Sequence, residues 1–160
     1  MPSVKPEKYL DNRGIIYVRH EHPAVFSVSE AQEHIAKIPG MACKNLFLRV
    51  QKKRRYLLVI IPAPKRAALK ELGKVVGIDK LTFASPEDMQ RMLSLTPGSV
   101  SPFGLINDIE KQVELWIDRE VRDAPIVTFH PNDNRATLEL TQDMFQRYLD
   151  SICRPVNILL

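Results

Sequence analysis

The chain has no apolar run approaching the roughly 18 residues that a membrane-spanning helix needs. Its longest apolar stretch, Tyr56 to Ala63, is already broken by Pro62. Cysteine is scarce: only 2 occur in 160 residues, Cys43 and Cys153, and neither lies in a CxxC pair or a Cys/His cluster. That spacing excludes a metal site built on cysteine pairs, and both thiols are expected to be reduced, buried small hydrophobes. Neither a metal nor another cofactor is expected. Met1 to Lys8 carries charges and prolines but no apolar block of signal-peptide length, so a cytoplasmic protein without a membrane partner is expected. Internal repeats, low-complexity tracts and Gly/Ser linkers are also missing, which leaves the 12 prolines as punctuation between short elements. No GxxxxGK[ST], GxGxxG or GxSxG motif occurs, so the familiar phosphate-cradling loops and the nucleophile elbow are excluded.

What is present suffices for one ordinary core. The chain is 44% hydrophobic, and its length fits a single domain over residues 1–160. With 23 basic against 19 acidic residues the formal net charge is +4, which permits a polyanionic partner without requiring one.

Periodicity supplies the elements. Gly14 opens the β-rich run Ile15 to Val18, which ends before Pro23. Ser27 with Glu30, or Ser29 with Gln32, forms a capping box for a helix through Ala31, Ile35 and Ile38, stopped at Pro39-Gly40. Asn45 to Val50 and Tyr56 to Ile61 read as a hairpin whose tip is the polar block from Gln51 to Arg55, and the second run is apolar enough for a central strand covered on both faces. A helix follows over Lys65 to Val76, ending at Gly77, and Ser85-Pro86 starts another bearing Met89, Met92 and Leu93. Val113 to Asp118, Pro125 to Phe129 and Ala136 to Leu140 are strand-like, and Thr141 caps a closing helix with Met144, Phe145, Tyr148, Leu149 and Ile152 inward. The expected fold is α/β or α+β, helices around a mixed, mostly antiparallel sheet of about six or seven strands.

Chemistry could reside in the stretch from Thr96 to Asp108, which holds two of the six glycines, two prolines and several hydrogen-bonding side chains. Glycines let backbone N–H groups approach a ligand, and prolines hold a turn in one shape. The same composition would also serve a rigid connector. Lys44, entering the first hairpin strand, must reach solvent or meet an anionic partner such as a phosphate. Alternation sends Cys43 to the face opposite Lys44, so Cys43 is read as structural. His130 ends an apolar strand, a place where α/β sheets form sites, although a lone histidine there can equally be structural. His20 and His22 are expected to be exposed. The block Lys52 to Arg55 could touch a nucleic-acid backbone or be a solvated tip, and Tyr56 beside it could stack on a base.

Taken together, Lys44-Asn45-Leu46-Phe47-Leu48, the run from Pro97 through Gly98, Ser99, Val100, Ser101, Pro102, Phe103, Gly104, Leu105, Ile106 and Asn107 to Asp108, and His130-Pro131 resemble a known family. It comprises the free-standing homologues of the bacterial prolyl-tRNA synthetase editing domain, the YbaK-like aminoacyl-tRNA deacylases. Order and spacing agree over nearly the whole chain, and the full loop most resembles the branch that hydrolyses alanyl-tRNA(Pro). The resemblance implies a trans-editing hydrolase whose substrate is the acceptor end of a mischarged tRNA, acting beside prolyl-tRNA synthetase. It implies that Lys44, with Asn45, holds the tRNA terminus, that Gly98, Ser99 and Gly104 belong to a loop offering backbone donors to the ester carbonyl, and that His130 is a pocket residue. Val100, Ser101, Pro102, Phe103, Leu105, Asn107 and Asp108 are then expected to shape the amino-acid pocket. Lys44 and Asn45 could serve one site only if their strand begins irregularly. A deacylase for cysteine, serine or threonine, a non-catalytic RNA-binding homologue and an esterase for small molecules remain alternatives.

Overall fold

The computed structural model describes residues 5–22, 37–51, 53–66, 68–132 and 135–159. In chain order it runs α1 (Pro6–Asn12), β1 (Val18–Glu21), β2 (Met41–Val50), β3 (Tyr56–Pro62), α2 (Leu69–Val76), β4 (Leu81–Phe83) and α3 (Pro86–Leu93). A 3₁₀ helix (Pro102–Asn107) precedes β5 (Val113–Asp118), α4 (Arg119–Asp123), β6 (Ile126–Phe129), β7 (Ala136–Thr141), α5 (Gln142–Ser151) and β8 (Val156–Leu159).

The hairpin of β2 and β3 is the spine of an eight-stranded mixed sheet of order β1-β7-β6-β2-β3-β5-β8, with β4 added to β2. Four pairings are antiparallel (β1 with β7, β2 with β3, β2 with β4, β6 with β7) and three are parallel. Every residue of β3 is buried, as its unbroken apolar run requires. Its alternate side chains feed two cores. Tyr56, Leu58 and Ile60 face Leu93, Phe103, Phe145 and Tyr148 on one side, while Leu57, Val59 and Ile61 face Leu69, Leu72 and Val76 of α2 on the other.

The termini of the helices follow local chemistry. The Ser85 hydroxyl accepts from the Asp88 N–H, with Pro86 next in line, and the Thr141 hydroxyl accepts from the Met144 N–H. Gly77, at φ +73°, closes α2 in the left-handed conformation that suits glycine.

Several boundaries differ from expectation. The first strand begins at Val18 rather than Ile15, because the N–H of Ile15 returns to the Leu10 carbonyl and residues 15–17 leave the unanticipated α1. α2 starts at Leu69 rather than Lys65, whose N–H closes a turn onto Pro62. Strands β4 and β8 raise the count above the expected number; four residues or fewer of each show no diagnostic alternation. The helix expected from Ser27 or Ser29 lies outside the described residues apart from Lys37 and Ile38. No helix among the described residues is long and apolar enough to cross a membrane.

Candidate active site

The segment from Thr96 to Asp108 is built as a turn followed by a 3₁₀ helix. The Ser99 N–H closes onto the Thr96 carbonyl at 3.0 Å, with Gly98 at φ +87° in open space. Ser101, wholly buried, caps the helix by accepting from the Phe103 N–H at 3.1 Å. Gly104 serves packing instead. A Cβ there would meet Leu95 Cδ1 at 2.7 Å and Leu93 Cβ at 3.2 Å, so only glycine lets the helix pack this closely on α3 and its C-terminal turn.

This architecture divides the loop's donors. The N–H groups of Ser99, Phe103 and Gly104 already bond within the loop. Those of Gly98, Val100 and Ser101 have no acceptor among the described residues. Gly98 is exposed and Ser99 half-buried, so this end of the loop is the accessible one. Beyond it, Val100 is nearly buried, while Pro102, Phe103 and Leu105 are core. Phe103 meets the rings of Tyr148 and Phe129 edge-on at 5.1 and 6.1 Å. Asn107 donates from Nδ2 to the Leu93 carbonyl at 3.0 Å. The Asp108 carboxylate accepts from the N–H groups of Gln112 and Val113 and from Arg154 at 2.8 Å, which makes it a buried strut.

Lys44 and Asn45 sit in a regular stretch of β2, opposite Ile61 and Ile60, with no bulge. They therefore point to opposite faces. Lys44 Nζ donates to the Lys65 carbonyl at 2.6 Å on the α2 side of the sheet. Lys65 in turn pairs with Asp118 at 2.8 Å and Glu120 at 2.6 Å, and lines a cleft of about 270 Å³ with Leu46, Leu72 and Asp118. Asn45 belongs to the face that carries Phe47 and the loop. Its Oδ1 is buried without a hydrogen-bond partner, a desolvated acceptor that a ligand N–H or O–H would satisfy.

The sheet is split along one edge of β2, beside both residues. On the edge of β2 away from β3, β6 pairs with Met41 and Ala42 and β4 with Leu48 to Val50. Between them, among the described residues, Cys43 to Leu46 have no strand beside them. His130, half-buried, directly follows β6, and carrying the parallel register of Ala42 with Thr128 forward two residues puts it at the level of Lys44. Ser101 donates to Oδ1 of Asn132 at 2.6 Å, so the loop is tied to the turn after His130. Three residues from Phe129 span at most about 11 Å, which holds Ser101 close to the split.

Some expectations change here. Cys43 is on the face opposite Lys44 as read, and burial, with the Asp118 charge adding to it, pushes its thiol up to about 12. Cys153 is exposed, not buried, because it sits in the turn after α5 at φ +49°. His20 and His22 are half-buried and bonded, to Glu139 at 3.0 Å and Thr137 at 2.9 Å. Tyr56 is 4% exposed and stacked on Phe47, so it offers no face to a base. At the hairpin tip Lys53 and Arg54 are solvated and Arg55 pairs with Glu114. Lys65, Asp118 and Arg154 were not singled out from the sequence. Asp118 carried a signal, an acid ending a strand just before a helix: its Oδ1 caps α4 through the Glu120 N–H at 2.8 Å.

The sequence matches the model of the aminoacyl-tRNA editing domain over residues 22–148. The chain belongs to the aminoacyl-tRNA editing domain family. Membership makes it an aminoacyl-tRNA deacylase, a hydrolase of the ester that joins amino acid to tRNA. It is 37% identical over 138 residues to the prolyl-tRNA editing protein ProX of Acetoanaerobium sticklandii, covering 86% of this chain and 84% of that protein. It is 34% identical to prolyl-tRNA synthetase associated domain-containing protein 1 of Danio rerio, covering 90% of this chain and 79% of the relative. The fold recurs in the crystal structure of a candidate trans-editing enzyme for prolyl-tRNA synthetase, with a TM-score of 0.70 at 20% identity over 99% of this chain and 98% of that one. Within the editing-domain fold, the split in the sheet, the loop and Lys44 form the candidate site.

Proposed function

We propose that this editing domain, acting as one cytoplasmic unit in trans to prolyl-tRNA synthetase, hydrolyses mischarged tRNA(Pro), with alanyl-tRNA(Pro) as its main substrate. The observation that carries the reading is the 37% identity to a prolyl-tRNA editing protein over 86% of the chain. The complete Gly98 to Asp108 loop adds the preference for alanine.

An aminoacyl ester is intrinsically labile, so orientation and oxyanion stabilisation suffice and no protein nucleophile is required. In this mechanism the unbonded N–H groups at the accessible end of the loop, Gly98 first and Val100 beside it, polarise the ester carbonyl. Lys44 exchanges the Lys65 carbonyl for the phosphate or ribose of the terminal adenosine. Asn45 Oδ1 accepts from the substrate across the split, and His130 lines the opposite wall. A water molecule, helped by the substrate's own ribose hydroxyl, attacks the carbonyl carbon and the tRNA 3′ oxygen leaves with a proton.

Specificity needs a second sieve, because a synthetase pocket shaped for proline rejects the smaller alanine by only a few kcal/mol. Val100 lies at the boundary between the accessible and buried parts of the loop, and in this reading it admits a methyl group and excludes a pyrrolidine ring. The test is to offer alanyl-, cysteinyl-, seryl- and prolyl-tRNA(Pro) to the purified chain. Fastest release of alanine supports the reading; fastest release of another amino acid, or of none, overturns it.

A further inference from the structure

The 3₁₀ helix is held at both ends by side chains from the C-terminal part of the chain. At its start the Tyr148 hydroxyl, on α5, donates to the Pro102 carbonyl at 2.5 Å. At its end Arg154, in the turn between α5 and β8, makes four contacts. Nη2 donates to the carbonyls of Leu105 at 3.2 Å and Asp108 at 3.1 Å, and Nη1 donates to the Asp108 carboxylate at 2.8 Å and the Val113 carbonyl at 3.1 Å. The guanidinium and the carboxylate are each 4% exposed.

Such a fork is costly to bury, and Arg154 Nε is left without a partner. Its contacts are therefore not surface ornament; each falls on the carbonyls and carboxylate where the loop turns into β5. Arg154 also lies beyond the residues 22–148 that the family model matches. Between the two clamps there is little freedom, since Gly104 is packed on Leu95 without room for a methyl group. Displacement of either end would be passed rigidly to Ser101 and to the free N–H groups just before it.

Resting on the deacylase reading above, we propose that Arg154 and Tyr148 are positioning residues that set where the Gly98 to Ser101 donors sit relative to the split in the sheet. Neither touches substrate. Lysine at 154 would keep the charge but cannot serve four acceptors in the planar arrangement of a guanidinium. Tyr148→Phe removes only the bond to Pro102 and keeps the ring among Phe103 and Tyr9.

The test combines single-turnover deacylation of alanyl-tRNA(Pro) over a range of enzyme concentrations with backbone amide NMR spectra of the free chain, for Arg154→Lys and Tyr148→Phe. In each, the maximal rate is expected to fall about tenfold or more, as small misplacements of catalytic groups do, while the enzyme concentration giving half the maximal rate changes less than about twofold. The amides of Gly98, Val100 and Ser101 should shift while spectral dispersion is kept. An unchanged maximal rate per folded molecule, or unmoved loop amides, overturns the proposal. A parent chain that deacylates nothing sinks the substrate reading instead, and the loop amides still decide the positional claim. If Arg154→Lys does not fold, Tyr148→Phe decides alone.

Discussion

The hydroxyl of Ser101 donates to Oδ1 of Asn132 at 2.6 Å, joining two segments 31 residues apart. Ser101 is wholly buried, and Asn132 holds φ at +60°, a left-handed backbone that asparagine tolerates better than most residues. The same hydroxyl oxygen caps the 3₁₀ helix through the Phe103 N–H. One atom thus fixes the loop's fold and its distance from the turn that carries His130.

Ser101→Ala removes both bonds, leaves the buried Phe103 N–H unsatisfied and turns the half-buried Asn132 oxygen over to water. The expected loss is about 1–3 kcal/mol of stability, read as a lower urea midpoint, because orphaned buried groups cost their full desolvation. Deacylation should fall as well when measured on fully folded protein. A variant as stable and as active as the parent would show that the bond contributes neither to folding nor to the site.

Lys44→Ala should separate activity from stability. Among the described residues the ammonium bonds only to the Lys65 carbonyl, an exposed contact, so its loss should change stability by no more than about 0.5 kcal/mol. On the proposed mechanism, hydrolysis of alanyl-tRNA(Pro) should nevertheless collapse. Urea unfolding and single-turnover assays on one preparation check both halves; full activity would remove Lys44 from the mechanism.

The hairpin, the central position of β3, the capping by Ser85 and Thr141 and the closing helix were all legible because each depends on local pattern: alternation, a cap residue, a helical stripe. The two glycines of the loop could be seen but not told apart, since Gly98 answers to its own φ whereas Gly104 answers to the distant Leu95. Arg154 carried no signal at all. Its acceptors lie 41 to 49 residues away, and no spacing rule reaches that far. Phe103 was expected to line the pocket because it sits in the motif, yet the 3₁₀ turn rotates it inward against Phe129 and Tyr148.

Burial therefore decides how pocket size can be probed. Phe103→Ala would open a void between two aromatic rings and is expected to cost about 3–5 kcal/mol, visible as a large drop in denaturation midpoint. Any change in selectivity would then be confounded with unfolding. Val100→Ala is the cleaner probe, since Val100 lies at the edge of the core. Hydrolysis of prolyl-tRNA(Pro) relative to alanyl-tRNA(Pro) should rise in Val100→Ala, and an unchanged ratio would place the size limit elsewhere.

Cys43 gives a prediction in pH. Burial, with Asp118 adding to it, pushes its thiol up to about 12 in the folded chain, whereas an unfolded cysteine titrates near about 8.5. The native state thus holds the proton more tightly. This stabilising contribution is full below about pH 8.5 and is lost as pH rises toward 12, because the unfolded chain releases its proton first. Tyr17 is also pushed up to about 12, by burial and by its hydrogen bond to Asp11, and would act in the same direction. The difference between parent and Cys43→Ala isolates the thiol: the parent's stability advantage should shrink steadily between about pH 8.5 and 12. Iodoacetamide near pH 8 should label the exposed Cys153 and leave Cys43 intact, since alkylation needs the thiolate. A stability difference independent of pH, or equal labelling of both cysteines, would show that the half-buried Cys43 titrates and reacts as an ordinary thiol.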